Sequence, residues 1–279
     1  NKLSRTPDCL PAYFLRRVAQ GIARPVYLLF QKSLETGELP LDWKTALVCP
    51  VYKKGPNYTP SNYRPISLTS HICKIFEKLV RNSLLGFFSN TLSGSQHGFR
   101  SNRSTVTQML QCLDKWTKSL QNYHDVDVIY LDFAKAFDTV SHQKLLYKLK
   151  KYGVRGKLLN WLKSFLVGRT QRVYVGSAVS SSVPVISSVP QGTVLGPILF
   201  LIYINDIVDC IIDSDIKLFA DDAKIFKTIQ NLSTDTSALQ RDLNRVVAWA
   251  EIWQLKLSQP KCQVLRITNK NNPQYATYY

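Results

Sequence analysis

Apolar positions recur at helical spacing through Leu15, Val18, Ile22, Val26 and Leu29, and the chain then turns at Thr36-Gly37-Glu38. That period predicts an amphipathic helix closed by a glycine. Ala46 to Tyr52 is an extended apolar run leading into Lys53-Lys54-Gly55, and a loop rich in Pro, Asn and Ser follows to Pro65. Ile72, Ile75, Phe76, Leu79 and Val80 mark one face of a second helix. A polar stretch from Ser93 to Ser104 interrupts before another helical period starts near Val106.

From Val126 the texture changes. Val126 to Phe133 is nearly continuous in apolar residues, as expected of a strand inside a sheet. A basic helix carrying Leu145, Leu146 and Leu149 stops at Gly153, and a second, Leu158 to Val167, stops at Gly168. Gln171 to Val175 alternates as a strand, and a Ser/Val-rich hairpin runs to Pro190. Val194 to Ile207 reads as a buried helix opened by Pro197. Ile216 to Phe226 reads as two short strands around Asp221-Asp222, followed by a long helix from about Asp235 to Ala250 and a strand from Gln263 to Ile267. This order predicts an α+β fold with helices on one face of an antiparallel sheet.

Composition narrows the class. A chain of 279 residues with 45% hydrophobic content can bury a core in one large domain or two small ones. Its longest apolar stretch, Val194 to Ile204, is broken by Gly196 and Pro197 and falls short of the roughly 20 residues that span a bilayer. Lys and Arg exceed Asp and Glu by 36 to 19, a net charge of +17 that draws polyanions. No Lys-rich amphipathic helix directs that charge to a membrane surface, so nucleic acid is the expected partner. The six cysteines form no C-x-x-C pair, which argues against zinc and disulfides and for a reducing, intracellular compartment. The opening Asn-Lys-Leu-Ser-Arg has neither a signal-peptide core nor an initiator Met and reads as a cut from a longer chain.

Three acids carry the chemistry. Asp221 and Asp222 sit at the tip of a tight apolar hairpin, where the plain reading is two turn residues and the functional one a pair of hard oxygen ligands for Mg²⁺. Asp132 ends an apolar strand, where a carboxylate needs a partner or a metal; a helix cap or a pair with Lys135 would also satisfy it. Together they form a set split between two strands, able to hold two divalent ions ~3.5–4 Å apart for in-line phosphoryl transfer. Between them, Pro190-Gln191-Gly192-Thr193-Val194-Leu195-Gly196-Pro197 lets backbone approach a ligand and then starts a helix.

Tyr130-Leu131-Asp132-Phe133-Ala134-Lys135-Ala136-Phe137-Asp138 resembles motif A of reverse transcriptases from non-LTR (LINE-type) retrotransposons. Pro190 to Pro197 resembles their motif B, and Phe219-Ala220-Asp221-Asp222 their motif C. Asn62-Tyr63-Arg64-Pro65-Ile66-Ser67-Leu68 and Gln96-His97-Gly98-Phe99-Arg100 resemble the finger motifs, and Trp253 through Lys261 resembles motif D. The motifs run in the family's order over nearly the whole chain, with details closest to the Jockey/CR1-like branch.

The resemblance implies a right-hand polymerase fold with an antiparallel palm sheet backed by helices: fingers with an N-terminal helical extension over 1–125, palm over 126–279 with some interleaving, and the thumb absent. It implies RNA-directed DNA synthesis, with an RNA template, a DNA primer, dNTPs and two Mg²⁺ ions, Mn²⁺ being a possible substitute, in the nucleus or cytoplasm. Asp132, Asp221 and Asp222 would be metal ligands, and Lys261 a general acid for the pyrophosphate. Phe137 would exclude a 2′-hydroxyl. Phe133, Gln191 and Gly192 would line the nucleotide site, and Lys53, Lys54 and Arg64 would touch the triphosphate. Ser188 departs from the family, which usually has Gly there, and Ser258 stands where Asn is normal. An RNA-directed RNA polymerase and a catalytically silent nucleic-acid-binding remnant are the rival readings.

Overall fold

Gly37, with φ of 70°, closes the first long helix by returning its N–H to the Ser33 carbonyl. The computed structural model describes residues 6–279; the opening segment read above as a cut end lies outside them. Helix α1 (Ala12–Arg17) leads into α2 (Ala19–Thr36), and the single turn α3 (Leu41–Lys44) delivers the chain to β1 (Thr45–Tyr52). Strand β2 (Tyr63–Leu68) begins inside the segment expected to be loop. Pro65 is tolerated because β2 is the outermost strand of its sheet, where a missing N–H breaks no ladder.

Helix α4 (His71–Phe87) buries Cys73, Phe76, Val80 and Leu84. Helix α5 (Thr105–Gln121) starts where Ser104 and Thr107 cap each other's backbone N–H groups. Strand β3 (Asp125–Leu131) follows, then α6 (His142–Lys151) and α7 (Gly156–Leu166). Strands β4 (Arg169–Val175), β5 (Ala178–Val179) and β6 (Val183–Val185) form the polar hairpin region. Helix α8 (Gly196–Ile204) is apolar on every side, so all of it from Ile198 on is buried. The last elements are β7 (Asp215–Phe219), β8 (Asp222–Ile229), α9 (Leu232–Trp253) and β9 (Gln263–Ile267).

The chain divides into two compact units, each drawn from two segments. One comprises residues up to Phe87 with Val140–Leu199; the other comprises Phe88–Thr139 with Phe200–Tyr279. The first holds a sheet ordered β2-β1-β4-β5, with β6 also on β4, and its β1–β4 pair is parallel. These two strands are joined through a long stretch of chain and not by a hairpin, as parallel pairing requires. Its core stacks Phe30 on Phe76 at 4.4 Å, with Trp161 4.8 Å from Phe76.

The second unit holds a fully antiparallel sheet ordered β7-β8-β3-β9. Trp116 and Cys112 of α5 pack on Val126 and Val128, while every residue of β3 except Tyr130 is buried. Both faces of β3 are therefore covered, where the sequence suggested helices on one. Helix α9 packs on β8 and presents Trp249 edge-on to Phe133 at 6.5 Å. Asp127, buried in β3, binds the Arg266 guanidinium of β9 (Nε to Oδ1, 2.6 Å) and the Tyr278 hydroxyl. Burial and that carboxylate raise the Tyr278 pKa far above the usual phenol range.

Candidate active site

Register places the acids. In the second unit Leu131 pairs with Ala223, so the next step puts Asp132 beside Asp222 at the same end of β3 and β8. Phe219 pairs with Asp222, which leaves Ala220-Asp221 as a two-residue loop at the tip of the β7–β8 hairpin. The three carboxylates thus stand on adjoining strand ends, and Asp132 lies beside the turn.

The segment after α9 runs along Asp132. Ser258 N–H donates to the Asp132 carbonyl at 2.7 Å, and Ala134 N–H donates to the Lys256 carbonyl at 2.8 Å. That course brings the Lys261 ammonium to Asp132 Oδ1 at 3.0 Å, with Lys261 largely exposed. Asp132 is therefore paired with a residue remote in sequence, and Lys135, its nearest candidate, is exposed at φ of 49°.

Three carboxylates on neighbouring strand ends are the hard oxygen donors that Mg²⁺ takes. As the side chains stand, a lysine ammonium supplies the counter-charge at Asp132. Among the described residues no three or more His, Cys, Asp or Glu side chains are gathered to hold an ion. The register supplies carboxylate oxygens on neighbouring strand ends, with Lys261 on Asp132 Oδ1.

Phe137 is half-buried, stacked on Phe200 at 4.2 Å and edge-on to Phe99 at 6.3 Å. Phe133 follows Asp132 with its side chain turned away from solvent. The residue is 4% exposed, its ring lies edge-on to Trp249, and its backbone bridges Leu257. Arg100 and Arg103 of the same unit donate to the carbonyls of Leu92 and Ser93 and of Gln96, so they tie down a loop.

The remaining candidates lie in the first unit. Lys53 and Lys54 are exposed just past β1, and Arg64 is exposed on β2 opposite Val51. Gln191 accepts the Ser67 N–H on its carbonyl at 2.7 Å. Gly192 follows at φ of 103°, where a Cβ would lie 2.6 Å from the Ser67 carbonyl oxygen, so only glycine fits. Ser188, three residues before Gln191, sits at φ of 107°; its N–H donates to the Val140 carbonyl at 2.9 Å. The His142 ring Nε2 meets the Ser188 carbonyl at 2.9 Å. Burial lowers the His142 pKa, the Ser188 carbonyl opposes that, and Arg169 adds to it.

One member of this turn was not expected. Glu77 of α4 is fully buried, and its Oε2 accepts the N–H groups of Val194 (2.7 Å) and Leu195 (3.0 Å). It thereby caps the entry to α8 from outside that helix. Burial raises its pKa, while the Leu195 and Val194 N–H groups and the buried Arg169 pull it down. The available signal was an acid among Cys73, Phe76, Val80 and Leu84, on a helix face that should carry no charge.

Residues 51–276 match the family described as "Reverse transcriptase (RNA-dependent DNA polymerase)". The chain is similar to an RNA-directed DNA polymerase from mobile element jockey of Drosophila melanogaster. Identity is 32% over 273 residues, covering 94% of this chain and 30% of that protein. It is also similar to a probable RNA-directed DNA polymerase from transposon X-element of the same fly, at 29% identity over 88% of this chain and 28% of the relative. A retrovirus-related Pol polyprotein from the type-1 retrotransposable element R2 of Popillia japonica is 27% identical over 64% of this chain and 25% of its own length. The chain spans about a third or less of each of these relatives.

Proposed function

This chain belongs to the reverse transcriptase family, and we propose that it is the RNA-directed DNA polymerase module of a non-LTR retrotransposon, joining a dNTP to a primer 3′-hydroxyl on an RNA template. The observation that carries this reading is the β3–β8 register, which sets Asp132 beside Asp222 and next to Asp221 at the hairpin tip. In this reading the sheet bearing the three acids is the palm, and the β1–β2 hairpin with Lys53, Lys54 and Arg64 belongs to the fingers. The reaction would take place inside the cell, in nucleus or cytoplasm.

Asp132, Asp221 and Asp222 would hold two divalent ions, Mg²⁺ or in its place Mn²⁺. Those ions would supply charge neutralisation at the attacking and leaving oxygens of an in-line displacement. The chain's own residues do the positioning. Phe137, wedged between Phe99 and Phe200, would hold its ring under the sugar and admit a deoxyribose. Gln191, carried on a turn fixed by Ser67 and Glu77, would orient the incoming nucleotide. Lys53, Lys54 and Arg64 would meet the triphosphate, the arginine as a two-pronged donor. Lys261, on leaving Asp132, has a proton to give to the departing pyrophosphate.

The test is primer extension on a homopolymer RNA template with Mg²⁺, supplying dNTPs or NTPs. Extension with dNTPs alone supports the reading. Extension with NTPs would make the chain an RNA-directed RNA polymerase, and template binding without extension would make it a silent nucleic-acid-binding remnant.

A further inference from the structure

Gln96 is 2% exposed, and its side-chain amide bonds main-chain groups. Its Oε1 accepts the Gly98 N–H at 2.7 Å and the Ala220 N–H at 2.9 Å, and its Nε2 donates to the Ala220 carbonyl at 3.3 Å. The amide thus grips both polar groups of one residue, and that residue immediately precedes Asp221. The grip is itself anchored. Leu218 N–H donates to the Ser95 carbonyl at 3.0 Å and His97 N–H donates to the Leu218 carbonyl at 2.8 Å, so Ser95-Gln96-His97 lies as a short parallel companion to β7.

The gripped residue is strained. Ala220 has φ of 54° at the first position of a two-residue hairpin loop, a place that favours glycine. A non-glycine residue held there costs about 1–3 kcal/mol and persists only where its surroundings over-determine it. Gly98 allows the surroundings to do so, since a Cβ at that position would stand 2.3 Å from the Ala220 nitrogen. A residue needed only to fill the space around Gln96 could be leucine or methionine; two acceptances and one donation need a carboxamide.

We propose that Gln96 is a positioning residue for nucleotidyl transfer, fixing the Ala220 backbone so that Asp221 and Asp222 are presented at one geometry. The proposal rests on the polymerase reading above. Misplacing a reacting group by about 1 Å can cost about 100-fold in rate, so the clamp acts on the chemical step and leaves nucleotide capture alone.

Gln96→Met keeps the side-chain length and removes the bonds; Gln96→Glu keeps the acceptor and loses the donor. Both are compared with the unaltered protein and Asp221→Asn for single-nucleotide addition and for backbone amide exchange. For Gln96→Met we expect kcat to fall by about 10- to 100-fold with KM for the dNTP within about twofold. The Glu variant should fall between it and the unaltered protein. Exchange should quicken at Gly98 and Ala220 and stay unchanged elsewhere. Unchanged kcat in Gln96→Met, or a loss shared by KM and by amides throughout the chain, would overturn the proposal. So would failure of both variants to fold, which would make Gln96 a stability residue. If the unaltered protein adds no nucleotide, the polymerase reading has failed and exchange alone decides. Local quickening at Gly98 and Ala220 then supports the clamp, and no change overturns it.

Discussion

Glu77 accepts the N–H of Leu195 at 3.0 Å from a position with no solvent exposure. A buried carboxylate is costly to keep, and this one is kept where α8 opens with N–H groups that need an acceptor. Glu77→Ala would leave Val194 and Leu195 unpaired, and each such buried group costs about 1–3 kcal/mol. Chemical denaturation should show that loss. Because burial lifts the Glu77 pKa above its ordinary 4.5, the fold binds the proton more tightly than the unfolded chain does. The associated stability is full below about 4.5 and is lost as pH rises through the raised value. Glu77→Gln should remove that slope, seen as a difference between the two proteins that changes with pH.

Asp221→Asn and Asp132→Asn should each abolish primer extension while leaving RNA binding within about twofold, because phosphate capture depends on the basic surface. Filter binding at two salt concentrations checks the second half. Normal extension by either variant would remove the acids from the mechanism.

Phe137→Val should raise the use of ribonucleotides relative to deoxynucleotides. It also breaks the stack on Phe200, so an accompanying destabilisation of about 1–3 kcal/mol is expected. The comparison is the ratio of kcat/KM values for a dNTP and its NTP. An unchanged ratio would mean that the ring does not face the sugar.

Ser188 holds φ of 107°, a conformation that suits glycine. Ser188→Gly should stabilise the protein by about 1 kcal/mol, a rise of about 2–4 °C in Tm for a chain of this size. Its N–H to Val140 and its carbonyl to His142 are backbone contacts that glycine preserves. A lower Tm would show that the hydroxyl contributes something the backbone geometry does not reveal.

What could be read from the sequence was local. The strand through Leu131 and the hairpin at Asp221-Asp222 follow from apolar runs and a turn, and their adjacency follows from the motif order. The parallel pairing of β1 with β4 was not legible, because neither strand carries a mark of a partner so distant. The contact of the Phe133 ring with Trp249 was not legible either, because the two lie far apart in sequence. Glu77 was silent, and Gln96, though part of a finger motif, gave no sign of its bonds to Ala220, for one reason. Each bonds main-chain N–H groups, which every residue but proline possesses, so nothing in the partner's sequence announces them.

Strand β9 and the tail behind it can be seen in another light. Strand β3 is nearly fully buried, and five of its residues pair with β9. Stripped of β9, it would offer a row of unpaired N–H and C=O groups to any other chain, the template on which proteins aggregate. The buried Arg266–Asp127 pair and the Tyr278 hydroxyl bolt that cover in place. The last residues thus act as a guard against self-association, and a shortened protein ending before Gln263 should be lost to insolubility before any assay of primer extension.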